Sequence, residues 1–533
     1  MDKALDMGKS SATGSFQLLI GVVGSTVIMA LGTIILTRIL GSDGYGLYSV
    51  AMIPASLINF FRDWGVNSAM TKQIASLRVN KQEAQIHDVI VSGVIFEIIS
   101  GAALSLLCFA LAGPLAVALQ RPTTEPLIAL MSASIFAGAV MAAANGIFVG
   151  YEKMVYNSFT SVFQAIIKTG VAPFLVIIGY GVFGAVVGTV ASVAAGAVAA
   201  IIIVYFAFYR KIQKAKTGPI NLIANLRPMI SYGIPLTLSN IVIGVLPQVF
   251  AFIMAIYVTD NNMVGNYYAA LNFAVLLTFI SIPISTVLFP AFAKLNPKEE
   301  PELLKTVFSS SVKYTSMLLV PATLAVIVLA TPIVYTLFGQ TYVDAPFFLA
   351  LSVTINLYAI VGNISLGTLL TGIGETTQLL KQSALSMALS IPFAIIIIPY
   401  LANMGPFMGV VGSIIAILFS SVPGMVWGLI WIWKKYQVKT NITSSAKIML
   451  ASTLAAIITY LTLPIFNTFD MIRLIIGAII FLCSYLIAAP LLGAINRADI
   501  NNFRQMFTGL GIISKLVNIL LKIMEKSLTL RNA

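Results

Sequence analysis

Fourteen times between residues 16 and 494 the chain runs apolar for about 20 residues or more, the length that crosses about 30 Å of hydrocarbon as a helix. Inside lipid every backbone N–H and C=O must be paired within the element, so spanning runs of this length are helices. The implied fold class is an all-α polytopic membrane protein with about fourteen transmembrane helices. Composition agrees. Only 9% of the residues are charged and 59% are apolar, whereas a soluble domain carries about 25% charged residues. The first run, 16–37, is too long for a signal-peptide core and reads as a retained span.

An internal repeat sets the organisation. Gly46-Leu47-Tyr48 returns as Gly265-Asn266-Tyr267, and Gly188-Thr189 returns as Gly412-Ser413. Gly150-Tyr151-Glu152 returns as Gly372-Ile373-Gly374-Glu375 with a small insertion. Each half therefore holds six spans in the same order. Six is even, so both halves share one orientation and are related by an axis along the membrane normal, with a cavity between them. The expected domains are a six-helix half over 1–209, a cytoplasmic linker over 210–228 and a second six-helix half over 229–433. Two extra transmembrane helices follow over 434–496. In the tail, 497–533, Ile500, Leu520 and Met524 recur at helical spacing among lysines, which predicts an amphipathic helix on the inner leaflet.

Charge gives the orientation. With the N-terminus inside, 27 of the 31 Lys and Arg residues fall on the cytoplasmic side. Only Arg38, Arg121 and Arg473 fall outside, and Lys168 falls within a span. Basic loops stay cytoplasmic, so both termini are expected in the cytoplasm of a multi-pass plasma-membrane protein. The net charge of +13 is thus a topology signal and implies no nucleic-acid partner. A single histidine and two cysteines within apolar runs offer no metal set. Gly8-Lys9-Ser10 lacks the upstream glycine of a phosphate-binding loop. Neither an enzyme nor a cofactor is expected, and the remaining energy sources are H⁺ or Na⁺ coupling or the membrane potential.

Charges inside spans cost about 2.5–3.5 kcal/mol each on insertion scales, which makes each one a site candidate. Arg62 and Asp63 end the second apolar run. They read either as a substrate-binding arginine oriented by its neighbour or as a plain cytoplasmic boundary pair. Glu97 lies in the third run and Lys168 in the fifth. Lys168 suits a phosphate, and Glu97 suits a coupling proton or sodium ion; paired with each other they would instead form a structural ion pair. Arg38 closes the first span, as a cavity residue or snorkelling to the interface. Glu152 and Glu375, in matching inner loops, are the gating candidates beside a reading as helix-end residues.

Four short motifs go further. Thr37-Arg38-Ile39-Leu40-Gly41, Tyr45-Gly46-Leu47-Tyr48, Asp63-Trp64-Gly65-Val66 and Lys72-Gln73-Ile74-Ala75 together resemble the opening of the polysaccharide biosynthesis/oligosaccharide flippase family. That family belongs to the multidrug/oligosaccharidyl-lipid/polysaccharide exporter superfamily. The resemblance implies fourteen spans as two six-helix halves plus two, and a cationic cavity in which Arg62 stands at an arginine position. It implies movement of polyprenyl-phosphate- or diphosphate-linked oligosaccharide from the inner to the outer leaflet by alternating access, for surface polysaccharide or glycoconjugate synthesis. The expected partners are that lipid-linked oligosaccharide, membrane lipids and glycan-assembly enzymes, with the chain itself a monomer. The alternative is a multidrug or cation antiporter of the same superfamily, which calls for acidic and aromatic cavity residues and often twelve spans.

Overall fold

A computed structural model describes residues 2–80, 82–212, 221–297, 299–440, 442–466, 468–506 and 512–532. Every regular element among them is helical. The first half contains α1 (Asp2–Asn59), α2 (Val66–Val79), α3 (Glu83–Ala110), α4 (Ala112–Ala118), α5 (Glu125–Gly150), α6 (Met154–Leu175), α7 (Gly181–Ile203) and α8 (Arg210–Ile212). The second contains α9 (Leu222–Tyr257), α10 (Asn261–Ala274), α11 (Thr278–Ala293), α12 (Pro301–Val328), α13 (Ala330–Leu337), α14 (Ala345–Val353), α15 (Asn363–Gly372), α16 (Thr376–Ala402) and α17 (Pro406–Tyr436). Then follow α18 (Ile442–Thr462), α19 (Asp470–Leu491), α20 (Arg497–Met506) and α21 (Ile512–Asn532).

Nine stretches among the described residues are helical, long and apolar enough to cross a membrane. Two of them are double length, Gly21–Asn59 and Met154–Tyr209. The first breaks at Gly41, where φ is 66°; the second breaks at Gly179, where φ is 103°. Taking each of these as two, and adding α14–α15, α9 and α10–α11 as one each, recovers the fourteen spans of the sequence.

The chain packs as two compact units, Met1–Gly265 with Ala394–Ser413 and Asn266–Phe393 with Ile414–Ala533. Helix α9, which follows the 210–228 linker, packs within the first unit, tied to the helices before it. Asn225 Nδ2 donates to Ser92 Oγ at 3.2 Å, and Thr237 Oγ1 donates to the Asp63 carbonyl at 3.0 Å. Residues 213–220 of the linker lie outside the described residues. Within the first unit, α1 and the start of α10 cross at the repeat-related glycines. A Cβ on Gly46 would sit 1.8 Å from the Asn261 carbonyl oxygen, and one on Gly265 would sit 1.8 Å from the Ser42 carbonyl oxygen. Only hydrogen fits at that crossing.

Beside the same crossing, Arg121 is buried between α4 and α5. Its guanidinium donates to the carbonyls of Ala255 and Val258, both at 2.7 Å, and to Asn261 Oδ1 at 2.6 Å. A cation over the last carbonyls of α9 satisfies acceptors that the helix cannot. Arg121 was expected only as an outer-loop charge; it is instead the clamp on the end of α9.

The second unit joins α12, α18 and α19 through a buried cluster that includes Met317, Ile448, Phe481 and Tyr485. Leu521, Met524 and Leu528 of α21 complete it, with Ile500 of α20. That part of the tail's apolar face is therefore covered by protein, not by lipid as the amphipathic pattern alone predicts. Residues 507–511 of the tail lie outside the described residues.

Candidate functional site

The second span is broken. Helix α1 ends at Asn59 and α2 begins at Val66, with Gly65 in the left-handed region at φ 76°. There it lies against Gly233 of α9, so closely that a Cβ would fall 2.3 Å from the Gly233 Cα. Asp63 Oδ1 accepts the Gly65 N–H at 2.8 Å. Arg62 sits inside this break and is only 8% exposed.

Its Nη1 donates to Glu97 Oε2 at 2.8 Å, and its Nε donates to Asn59 Oδ1 at 3.1 Å. Glu97 is 0% exposed and lies half-way along α3, about 21 Å of helix rise from Glu83. The other carboxylate oxygen, Oε1, is buried without a hydrogen-bond partner among the described residues.

Three expectations change here. Arg62 is not a solvent-exposed helix-end charge, because the break at residues 60–65 ends the helix early and turns the guanidinium onto the middle of α3. Glu97 pairs with Arg62 and not with Lys168. Asp63 does not orient Arg62, because its carboxylate is engaged by the Gly65 turn; Asn59 and Glu97 hold the guanidinium instead.

Lys168 lines a cavity of about 310 Å³ between α1, α5, α6 and α7. Ser56, Asn59, Ser134, Gln164, Thr189 and Ser192 also line it. The Tyr48 hydroxyl and Thr189 Oγ1 are 2.8 Å apart, one donating to the other, which fixes one wall. Asn59 belongs both to this cavity and to the Arg62 contact, so the ion pair adjoins the cavity. Among the described residues Lys168 forms no ion pair. Asn59 and Gln164 escaped the sequence reading, although the signal was there. Asn59 precedes Arg62 by three residues and Gln164 precedes Lys168 by four, the spacings that share one helix face.

The other candidates lie elsewhere. Arg38 is exposed at the end of the first span and does not line the cavity. Glu152 stands in an exposed turn at φ 57°. Glu375 accepts from Lys435 Nζ and from the Tyr436 hydroxyl, the latter at 2.8 Å. The hydrogen bond from Lys435, chiefly, holds the Glu375 carboxyl below its ordinary value.

The turns carrying these two glutamates also correct the repeat alignment. Tyr151, Glu152 and Lys153 donate their backbone N–H to Ile147, Val149 and Phe148. Ile373, Gly374 and Glu375 donate to Leu369, Thr371 and Leu370 in the same pattern. Both turns have positive φ at their third residue, Glu152 and Gly374. The match needs no insertion: Glu375 corresponds to Lys153, not to Glu152.

The profile of a family described as "Polysaccharide biosynthesis protein" matches residues 11–296, more than half of the chain. The chain belongs to that family. A search of curated protein sequences finds no match. Among solved structures, a lipid II flippase MurJ in an inward closed conformation aligns at a TM-score of 0.70 and 17% identity, over 89% of this chain and 97% of that one. An inward-facing multidrug resistance MATE family transporter of the MOP superfamily aligns at 0.63 and 18% identity, over 78% and 98%. A MOP superfamily transporter from Pyrococcus furiosus, whose binding pocket is described as reversed in polarity, aligns at 0.51 and 18% identity, over 80% and 96%. At these identities the likeness concerns the fold alone, which this chain shares with the flippase and with the MATE transporter.

Proposed function

We propose that this protein flips an oligosaccharide linked to polyprenyl phosphate or diphosphate from the inner to the outer leaflet by alternating access. The observation that carries the reading is the buried Arg62–Glu97 pair beside the Lys168 cavity. Arg62 already holds an oxyanion, and that oxyanion belongs to the protein. A phosphate or diphosphate entering the cavity competes with Glu97 for the guanidinium fork and gains Lys168 as a second cation. Gln164, Ser134, Ser192 and Asn59 present hydrogen-bonding groups suited to sugar hydroxyls.

Once Arg62 turns to the substrate, Glu97 is a buried carboxylate without a cation. A proton neutralises it at lower cost than leaving it charged. Substrate capture and proton uptake are thereby coupled, and the reverse exchange releases both. The membrane potential supplies the drive: a doubly anionic headgroup leaving together with that proton carries one net negative charge out of a negative interior, a gain of about 2.3 kcal/mol per 100 mV. The working setting is the plasma membrane with both termini cytoplasmic, as a single chain beside glycan-assembly enzymes.

The test is transport by the full-length protein in proteoliposomes. A polyprenyl-diphosphate oligosaccharide is loaded, and its headgroup is detected by an external lectin. Protein-dependent exposure of the sugar is the expected result. Efflux of an organic cation under a proton or sodium gradient, with no sugar exposed, overturns it in favour of a cation antiporter.

A further inference from the structure

The two repeat-related turns differ in one charge, acidic at Glu375 in the second half and basic at Lys153 in the first. In the second half, Glu375 supplies a carboxylate to Lys435 and to the Tyr436 hydroxyl. At the same turn of the first half the residue is Lys153. At the offset set by Gly188 and Gly412, the place of Tyr436 falls to Ile212. The corner that is internally neutralised in one half is therefore cationic in the other.

A cavity of about 510 Å³ occupies this corner. Its polar lining comes from Arg78, Glu83, Tyr151 and Lys153, and its apolar wall includes Ile86 and Phe208. Arg78 stacks over the Tyr151 ring at 5.2 Å. Among the described residues its guanidinium makes one hydrogen bond, a long one of 3.5 Å to the Gly150 carbonyl. The Tyr151 hydroxyl is buried with no hydrogen-bond partner among the described residues. Burial raises this phenol above its ordinary value, so the hydroxyl keeps its proton and remains a donor. Two cations and an unused hydroxyl stand against one carboxylate, Glu83. A buried donor without an acceptor costs about 1–3 kcal/mol in a folded protein, and an oxyanion satisfies it.

We propose that this corner is a phosphate-binding site, formed by the Arg78 guanidinium, the Lys153 ammonium and the Tyr151 hydroxyl. The shared chemistry is a tetrahedral phosphate oxyanion, taken in by the Arg78 fork and by Lys153 as a point charge. Its source is either the headgroup of an anionic phospholipid, whose glycerol would lie on Ile86 and Phe208, or free phosphate. The site is separate from the Arg62–Lys168 cavity, and its test does not depend on transport.

The experiment is native mass spectrometry of the detergent-solubilised full chain. The protein is titrated with phosphatidylglycerol, with phosphatidylcholine as the zwitterionic control, and separately with inorganic phosphate. The expected result is one phosphatidylglycerol bound in preference to phosphatidylcholine. Lys153→Glu, which restores the charge of the second half, weakens it about 10-fold, as does Arg78→Gln; Lys153→Arg retains it. Competition by millimolar phosphate, itself sensitive to Lys153→Glu, identifies free phosphate as the ligand. Indifference to phosphate identifies the lipid. Unfolding temperatures without ligand check that each variant is folded, and Lys153→Gln replaces Lys153→Glu if the latter is not. Equal binding of both ligands by wild type and by the folded Lys153 and Arg78 variants overturns the proposal.

Discussion

Replacing Arg62 by alanine strands Glu97 at a position with no solvent exposure. At 2.8 Å and an effective dielectric constant of about 20, the two charges attract by about 6 kcal/mol. Much of that gain only offsets the desolvation of both groups, so the net cost of removing one partner of a buried pair is about 3–5 kcal/mol. Arg62→Ala is expected to cost that much, and Glu97→Gln somewhat less, because Asn59 still accepts from Arg62. Combining them removes the stranded charge along with its partner. The double variant should therefore be more stable than the sum of the two singles by at least about 2 kcal/mol. The assay is unfolding free energy in mixed micelles, measured for wild type, both singles and the double. Singles that add within about 0.5 kcal/mol would refute the reasoning, because the two side chains would then be energetically independent.

Three further outcomes follow from particular contacts. Lys168→Gln is expected to reduce sugar exposure in proteoliposomes by about 10-fold or more, since a charge-assisted hydrogen bond contributes about 1.5–3 kcal/mol. It should leave the unfolding temperature unchanged, with Lys168→Arg retaining activity; equal transport by Lys168→Gln would remove Lys168 from the site. Glu375 has its carboxyl held below the ordinary value of 4.5, so its contribution is complete above that pH and is lost as pH falls below it through the lower folded-state value. The partly exposed pair contributes about 0.2–1 kcal/mol, and the stability gap between wild type and Glu375→Gln should be present at pH 7 and shrink below pH ~4.5; a gap that is unchanged in acid contradicts this. Gly265→Ala places a methyl group against the Ser42 carbonyl and should loosen the α1–α10 crossing, increasing labelling of a Ser42→Cys reporter by an impermeant maleimide; unchanged labelling would mean that the crossing tolerates the methyl.

Much of the fold is legible in the sequence because the bilayer makes it so. A run of about 20 apolar residues has one way to pair its backbone, and the fourteen spans and their repeat follow from that. The site was legible in its parts and not in its pairing. Arg62, Glu97 and Lys168 are conspicuous as charges among apolar residues, yet which one meets Glu97 depends on where the second span breaks. Neither Gly65 nor Asp63 announces that the break lies level with the middle of α3. The tail pattern marks an apolar face correctly, but periodicity is the same whether lipid or α19 covers it. The matching of Lys153 with Glu375 needed the backbone hydrogen bonds, because neighbouring glutamates in the two turns invite the wrong register. Arg121 shows the same limit: one arginine in a loop carries no sign that it will cap a helix more than 130 residues later in the chain.

The central claim is that Arg62 exchanges an internal carboxylate for the phosphate of a lipid-linked glycan. Its most direct test compares wild type, Arg62→Ala and the Arg62→Ala/Glu97→Gln double variant in proteoliposomes, with a polyprenyl-diphosphate oligosaccharide, an external lectin and an imposed inside-negative potential. The account predicts rapid sugar exposure by wild type that accelerates with the potential. It predicts none by Arg62→Ala, and none by the double variant although that protein is folded. Full exposure by the folded double variant would contradict it, because headgroup capture would then need neither the guanidinium nor its exchange with Glu97.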